Sequence, residues 1–229
     1  MTEEASPPRT DPRQPGEASS IGARFVAGPI DAREIPDAVA IFLEAFHDSA
    51  AYVYGEPPRP EAMIDVWSFA RSVEPDAFLA ARDDDGAVVG YEFLTTSVSA
   101  LRSAAIRRLA PLRWAWRAVT GRYGIIWPHA LRLFANKLSF VRSSGEFRTH
   151  GDAQLLNIAT AARVRGRGVA GILVRAGLAY LRSRSISELR LEVRPDNVPA
   201  RAVYERTGFA EVGRTKDAGG EWIVMTVRP

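Results

Sequence analysis

The pattern of apolar and polar positions divides the N-terminal half of the chain into short strands and helices. The run ARFVAGPI predicts a strand, and Asp31 is placed to cap an amphipathic helix whose apolar residues follow at helical spacing. A second helix is predicted around residues 59–71. The run DAFLAARDDDGAVVGYEFLTTS predicts a hairpin, because an Asp-Gly pair tolerates the positive φ angles of a tight turn. We interpret the acidic cluster at residues 83–85 as part of that turn and not as a metal site.

After Gly151 the predicted order is strand, helix, strand, helix, strand, strand. The predicted strands are AQLLNIAT, SELRLEV, FAEVGRT and EWIVMTV. The predicted helices are VAGILVRAGLAYLRSR and VPARAVYERTG, and Gly208 is expected to end the second one. This set of elements predicts a mixed α/β fold in which helices pack on the faces of one sheet.

Residues 101–148 differ from the rest of the chain because they are strongly basic. They contain ten basic residues against one acid, Glu146, together with Trp114, Trp116 and Trp127. Apolar positions recur at helical spacing, so we predict two helices that are broken near residues 121–128. We interpret the segment as a basic, aromatic helical insertion in a single domain that spans residues 21–229.

Composition limits the classes of protein that this chain can belong to. Of its 229 residues 46% are hydrophobic and 25% are charged, which is typical of a globular protein. A net charge of only +3 gives no reason to expect a nucleic acid partner. The chain has no cysteine, so disulfides, cysteine-bound zinc and thiol nucleophiles are excluded, and a cytoplasmic location is expected. The few lysines suggest a GC-rich, bacterial source.

Two further absences shape the expectations. The three histidines are far apart in sequence, so no metal is expected. No run reaches the roughly 18 to 20 apolar residues that a membrane span requires. The first 20 residues are rich in Pro, Ser and acids with little to bury, so a flexible tail is predicted there.

A glycine-rich run, from Arg165 to Gly171, joins a predicted strand to a predicted helix. Glycine lets the backbone approach a ligand closely, and the first turn of a helix presents unpaired N–H groups. The run is therefore a candidate cradle for a pyrophosphate, although a tight connection would use the same residues. It lacks the Gly-Lys-Ser/Thr of a P-loop.

Two motifs carry a resemblance to a known family. The pattern R-x-x-G-x-A, from Arg165 to Ala170, matches a signature of the GCN5-related N-acetyltransferase (GNAT) superfamily. Further on, N-x-x-A-x-x-x-Y-x-x-x-G-F, from Asn197 to Phe209, matches the second common motif of that superfamily. The likeness covers residues 153–229 well, and residues 21–100 agree in the order of elements. It implies a mixed, mostly antiparallel sheet flanked by helices.

The resemblance also implies an acyl donor and its binding site. Acetyl-CoA would donate the acyl group, its pantetheine arm would lie between splayed strands AQLLNIAT and SELRLEV, and no metal would take part. The acceptor would be a primary amine of a small molecule or a protein, and the oligomeric state stays open, a homodimer included. The residues implied to contact the cofactor are Ile158, Thr160, Arg165, Gly166, Arg167, Gly168, Val169, Ala170, Gly171, Asn197 and Tyr204.

The catalytic groups follow from the same likeness. Tyr204 corresponds to the tyrosine that protonates the leaving thiolate. Glu192 lies in a Leu-Glu-Val-Arg run similar to that of the ribosomal-protein alanine N-acetyltransferases, where the glutamate serves as base. Glu92 is its main rival, followed by His150 and Asp152, and a water relay without a single base is also open.

The basic segment departs from the compact members of that group. It could cover the acceptor site as a lid, attract an acidic or phosphorylated substrate, touch an anionic membrane, or form a solvated face whose tryptophans complete the core. Two other functions therefore stay open beside the enzyme. One is a catalytically silent acyl-CoA-binding module, and the other is an acyltransferase that acts at a membrane surface.

Overall fold

A computed structural model describes residues 24–47, 59–123, 151–217 and 220–229. These residues contain seven strands that form one sheet. The strands are β1 (Val26–Pro29), β2 (Phe78–Arg82), β3 (Val88–Thr95), β4 (Gln154–Thr160), β5 (Leu189–Val193), β6 (Ala210–Asp217) and β7 (Gly220–Val227). The helices are α1 (Ile35–Ala45), α2 (Glu61–Val73), α3 (Val98–Arg107), α4 (Ala110–Val119), α5 (Val169–Ser183) and α6 (Val198–Arg206). The predicted N-terminal tail and residues 124–150 of the basic segment lie outside the described residues.

The sheet has the order β1-β2-β3-β4-β5-β7-β6. Every neighbouring pair is antiparallel except β4 and β5, which are parallel. The prediction of a mixed, mostly antiparallel sheet flanked by helices is therefore confirmed. The hairpin between β2 and β3 is also confirmed, because Gly86 has a φ of +79° and its N–H donates to the carbonyl of Asp83.

The predicted cap at Asp31 forms as a reciprocal capping box. The Asp31 carboxylate accepts from the N–H of Arg33 at 2.9 Å, and the Glu34 carboxylate accepts from the N–H of Asp31 at 2.6 Å. A short 3₁₀ turn, Ala32–Glu34, leads from this cap into α1. Glu34 also pairs with Arg82, so the start of the helix is fixed to β2.

Helices cover both faces of the sheet. Because side chains alternate along a strand, Tyr91 and Glu92 of β3 point to opposite faces. The ring of Trp67, on α2, lies 4.9 Å from the ring of Tyr91. On the other face, a Cβ added to Gly177 of α5 would lie 2.4 Å from a carboxylate oxygen of Glu92. The α2 face and the α5 face are therefore separated by the sheet.

The basic segment begins as two helices, but they break earlier than predicted. The chain turns at Leu109, whose φ is +52°, and α4 then starts with a proline in its first turn. Pro111 lacks the N–H that a continuous helix would need, which explains a new helix at this point. The predicted break near residues 121–128 coincides with the end of α4, and the second half of the segment lies outside the described residues.

The tryptophans of this segment have different environments. Trp114 packs edge-on against Phe69 of α2, with ring centroids 5.5 Å apart. Trp116 is 69% exposed, next to the similarly exposed Leu112 and Val119 on the same side of α4. Trp114 thus joins α4 to α2, whereas Trp116 does not contribute to the core.

Within the described residues, no helix has the length and apolar character needed to cross a membrane. In the same part of the chain, no group of His, Asp or Glu side chains is arranged to hold a metal ion. Asp83 instead accepts from the N–H of Ala87 at 2.9 Å and pairs with Arg163, so the acidic cluster is confirmed as a turn.

Candidate active site

Strands β4 and β5 separate soon after they begin. Gln154 and Arg190 form a registered pair, and the Arg190 N–H donates to the carbonyl of Ala153 at 3.1 Å. No further registered pair joins the two strands among the described residues, so they diverge toward their carboxyl ends. The chain therefore contains the opening between AQLLNIAT and SELRLEV that the family resemblance implies.

The glycine-rich run lies where β4 ends at this opening. Gly166 and Gly168 have φ angles of +78° and +84°, a region that residues with a Cβ rarely adopt. The first hydrogen bond inside α5 runs from the N–H of Ile172 to the carbonyl of Gly168. The amides of residues 168–171 have no backbone acceptor in the described part of the chain, as expected for the first turn of a helix.

This turn fits an anionic phosphate group. Four N–H groups without a backbone acceptor in the described residues lie at the positive end of the α5 dipole. A Cβ added to Gly166 or Gly168 would meet no atom within 4 Å, so the space beside the backbone is open. The two neighbouring arginines are held on the protein, because Arg165 donates to the Thr160 carbonyl at 3.4 Å and Arg167 stacks on Phe25 at 5.2 Å. The backbone therefore supplies the site.

Asn197 caps the other helix at the opening. Its side chain accepts from the N–H of Ala200 at 3.2 Å at the start of α6. Ile158 lies on β4 directly opposite Glu92 of β3, and Thr160 ends the same strand. Ile158 and Thr160 thus lie on β4 and Asn197 lies at the start of α6, and the N-cap role of Asn197 does not prevent a contact with a ligand.

Tyr204 lies on α6 with only 6% of its surface exposed. Its ring packs at 5.6 Å from that of Phe209, in the apolar cluster that also contains Leu191 and Val193 of β5. Burial, and then the nearby carboxyl of Glu92, raise the pKa of Tyr204 above its ordinary value of 10.0. The phenol therefore keeps its proton at neutral pH.

Glu92 is completely buried between β3 and α5. Neither carboxyl oxygen has a hydrogen-bond partner within the described residues. Burial raises the pKa of Glu92 well above its ordinary value of 4.5, which favours the protonated form of this carboxyl. It shares the α5 face of the sheet with Tyr204, and the contact with Gly177 leaves no space between this carboxyl and the helix.

Glu192 has a different environment. Arg190, Glu192 and Arg194 alternate with apolar residues that pack beside Tyr204, so they point to the opposite face of β5. The Glu192 carboxylate accepts from Arg190, and the two side chains are 13% and 9% exposed. The two side chains therefore form a salt bridge, which holds the Glu192 carboxylate on this face of β5.

Asp152, a further base candidate, is not brought to this place. Asp152 accepts from the Ser97 hydroxyl at 2.8 Å and from the Ser99 N–H at 2.7 Å, which stabilises the start of α3. Its pKa lies below its ordinary value because hydrogen bonds from Ser99 and Ser97 outweigh the effect of burial. His150 lies outside the described residues.

Sequence reasoning missed the contribution of Gly177. A glycine inside a helix costs about 1 kcal/mol relative to alanine, so its presence in the middle of α5 signals a close approach. A Cβ there would lie 2.4 Å from Glu92 and 2.7 Å from Leu94. The glycine therefore allows α5 to pack directly over the buried carboxyl.

The fold and the opening are those of an acyl-CoA-dependent N-acyltransferase. Comparison with known families places the chain in the same class. Residues 40–209 match the model of the acetyltransferase (GNAT) family. The match covers most of the chain, and the protein therefore belongs to the GNAT acetyltransferase family. Members of this family transfer an acyl group from acyl-CoA to an amine. No curated protein sequence matches the chain.

Solved structures with the same fold are distant in sequence. SsHAT superposes with a TM-score of 0.65 at 20% identity, covering 89% of this chain and 98% of its own. The ribosomal-protein-alanine N-acetyltransferase from Brucella melitensis gives 0.56 at 16% identity, with 89% and 99% covered. The protein yncA from Salmonella typhimurium, solved with its cofactor acetyl-CoA, gives 0.55 at 11% identity, with 89% and 93% covered. These likenesses concern the fold alone.

Proposed function

We propose that this protein transfers an acetyl group from acetyl-CoA to a primary amine by direct attack of the amine on the thioester. The observation that carries this proposal is the opening between β4 and β5, which combines an open backbone cradle with a buried, protonated tyrosine. The acceptor is an amine of a small molecule or of a protein.

Donor binding is assigned to backbone groups. The amides of residues 168–171 are free to bind the pyrophosphate, and the positive φ angles of Gly166 and Gly168 shape the turn around it. Ile158, Thr160 and Asn197 would border the rest of the donor. When bound, acetyl-CoA supplies an activated carbonyl carbon, which needs no covalent intermediate on the protein.

Tyr204 is the proposed acid. Its phenol keeps its proton at neutral pH because burial and the nearby Glu92 raise its pKa. As the carbon–sulfur bond breaks, Tyr204 donates this proton to the departing sulfur. The surrounding apolar cluster excludes water that would otherwise compete for the role.

Glu192 is the proposed base. An amine that approaches the carbonyl from the face opposite Tyr204 would reach the side of β5 where Glu192 lies. Arg190 holds the Glu192 carboxylate in place through an ion pair, and we propose that Glu192 accepts the proton that the amine loses as the new carbon–nitrogen bond forms. Burial raises the pKa of Glu92, and this carboxyl lies on the other face of the sheet, so we assign Glu92 no role as a base.

Calorimetric titration with acetyl-CoA, followed by thiol-release assays over a panel of amines and peptides, tests the proposal. Micromolar binding with acceptor-dependent thiol release is the expected result. Binding without release over a broad panel would favour a silent acyl-CoA-binding module. No binding of acetyl-CoA would overturn the assignment of the cradle.

A further inference from the structure

A cleft lies on the outer side of α2, away from the sheet. It encloses about 360 Å³ between α2 and the hairpin formed by α3 and α4. Trp67 of α2 packs against the sheet, whereas the residues of α2 that line the cleft lie on the opposite side of the same helix. The polar residues that line it are Asp65, Ser68, Ser72, Arg108, Arg113 and Arg117. The sheet therefore separates this cleft from the cradle on α5.

One of the three arginines is already neutralised. Arg117 forms a salt bridge with Asp65, and the Tyr123 hydroxyl donates to the same carboxylate at 2.6 Å. Burial favours a higher pKa for Asp65, but the hydrogen bonds from Arg117 and Tyr123 outweigh it and the net pKa lies below the ordinary value. Asp65 is therefore ionised and cancels the charge of Arg117. Two guanidinium groups stay without a carboxylate partner in the lining of the cleft.

The two remaining arginines are positioned at the cleft. Arg108 lies 5.9 Å from the ring centre of Phe69, and it donates to the Ser72 hydroxyl at 3.1 Å. A guanidinium has five N–H donors, so most of those of Arg108 stay available. Arg113 has no hydrogen-bond partner among the described residues and lies one turn before Arg117 on α4. The aromatic ring of Phe69 forms the floor beneath Arg108.

We propose that this cleft binds a phosphate ester. Three guanidinium groups against one carboxylate leave the lining with an excess of two positive charges, which matches a phosphate dianion, whereas a ligand carboxylate would neutralise only one of them. The planar donor groups of arginine suit phosphate oxygens, and Ser68 can add a hydroxyl donor. The volume of about 360 Å³ is that of a small-molecule site and exceeds what a bare phosphate would fill, so the ligand carries a further organic group.

Inorganic phosphate is the probe for a first test on the full chain. Its binding is followed by the rise in melting temperature, at constant ionic strength maintained with chloride. Arg113→Gln should weaken binding at least about tenfold, because it removes a charge-assisted hydrogen bond. Arg107→Gln is the matched control, since it removes one charge from the same hairpin at an exposed residue outside the cleft. It should leave phosphate binding unchanged.

Two results would overturn the site. Equal binding in the wild type and Arg113→Gln would place the phosphate elsewhere, the α5 cradle included. An equal loss in Arg107→Gln and Arg113→Gln would show a general effect of surface charge. Acetate, which carries a single charge, should bind at least about tenfold more weakly than phosphate near pH 8. Equal affinities would rule out selection for a dianion. None of these measurements uses acyl transfer, so they are independent of the proposed function.

Discussion

The two faces of the sheet beside the β4–β5 opening hold their polar groups in opposite ways. On the α5 face, Tyr204 and Glu92 are buried among apolar side chains, and burial raises the pKa of both. On the other face, Glu192 and Arg190 form an ion pair. The difference shows how one opening can keep an acid neutral on one side and a carboxylate charged on the other. Substitutions in the glycine-rich turn and on each face of the sheet can test this contrast.

Gly168→Glu should cause the largest loss of affinity for acetyl-CoA. The substitution places a carboxylate where the pyrophosphate is proposed to lie, next to amides that attract anions. Affinity for acetyl-CoA should fall more than about 100-fold, which corresponds to roughly 2.7 kcal/mol. Calorimetric titration measures this loss directly.

Gly168→Ala is the matched control for that variant. It imposes the same strain at a φ of +84° without adding charge, and its Cβ would meet no atom within 4 Å. If its affinity falls as far as that of Gly168→Glu, then backbone conformation and not charge governs the site. Unchanged affinity in Gly168→Glu would refute the cradle.

Tyr204→Phe should lower kcat by about 10³-fold, within the range that general acid catalysis contributes. The ring keeps its packing against Phe209, so affinity for acetyl-CoA should stay nearly constant. Steady-state kinetics with calorimetry separate these two effects. Tyr180→Phe removes a half-buried phenol from α5 and should leave kcat unaltered. A wild-type rate in Tyr204→Phe would remove the tyrosine from the mechanism.

Local chemistry explains which parts of this site could be predicted from the sequence. Gly168 and Gly86 lie in turns whose shape depends on neighbouring residues, so both were expected where they are found. The alternation along β5 likewise placed Glu192 and Arg190 on one side. Contacts between residues that are far apart in the sequence leave no such local pattern. The burial of Glu92 depends on Gly177, which is far away in sequence and approaches only when α5 packs on β3.

The break at Leu109 shows a second reason for a missed feature. Leucine has no preference for a φ of +52°, so the turn could not be predicted from that residue. The nearby Pro111 was the available signal, and the apolar periodicity around it concealed the break.

Glu192→Gln should lower kcat/KM by about 10²-fold at neutral pH. Because the amide leaves Arg190 without its carboxylate, stability must be checked by thermal unfolding. Glu192→Asp restores the charge and should recover part of the rate. A Glu192→Gln variant that keeps the wild-type kcat/KM would point to another base.

Glu92→Gln should have the smallest effect, and it concerns stability. The folded-state pKa of Glu92 is raised above its ordinary value of 4.5, so the folded protein holds a proton that the unfolded chain releases. The stability of the wild type therefore falls as pH rises above the unfolded pKa, with a slope of at most about 1.4 kcal/mol per pH unit until the folded pKa is reached. The amide cannot ionise, so the variant should lack this contribution.

Chemical unfolding of both proteins between pH 4 and pH 8 measures that difference. The two unfolding free energies should converge at the acid end, below the ordinary pKa of 4.5, and separate in favour of the variant as pH rises. Parallel curves would mean that Glu92 titrates alike in the folded and unfolded chains. The α5 face would then tolerate a charge as well as the face of Glu192 does, and the contrast between the two sides of the opening would rest on Tyr204 alone.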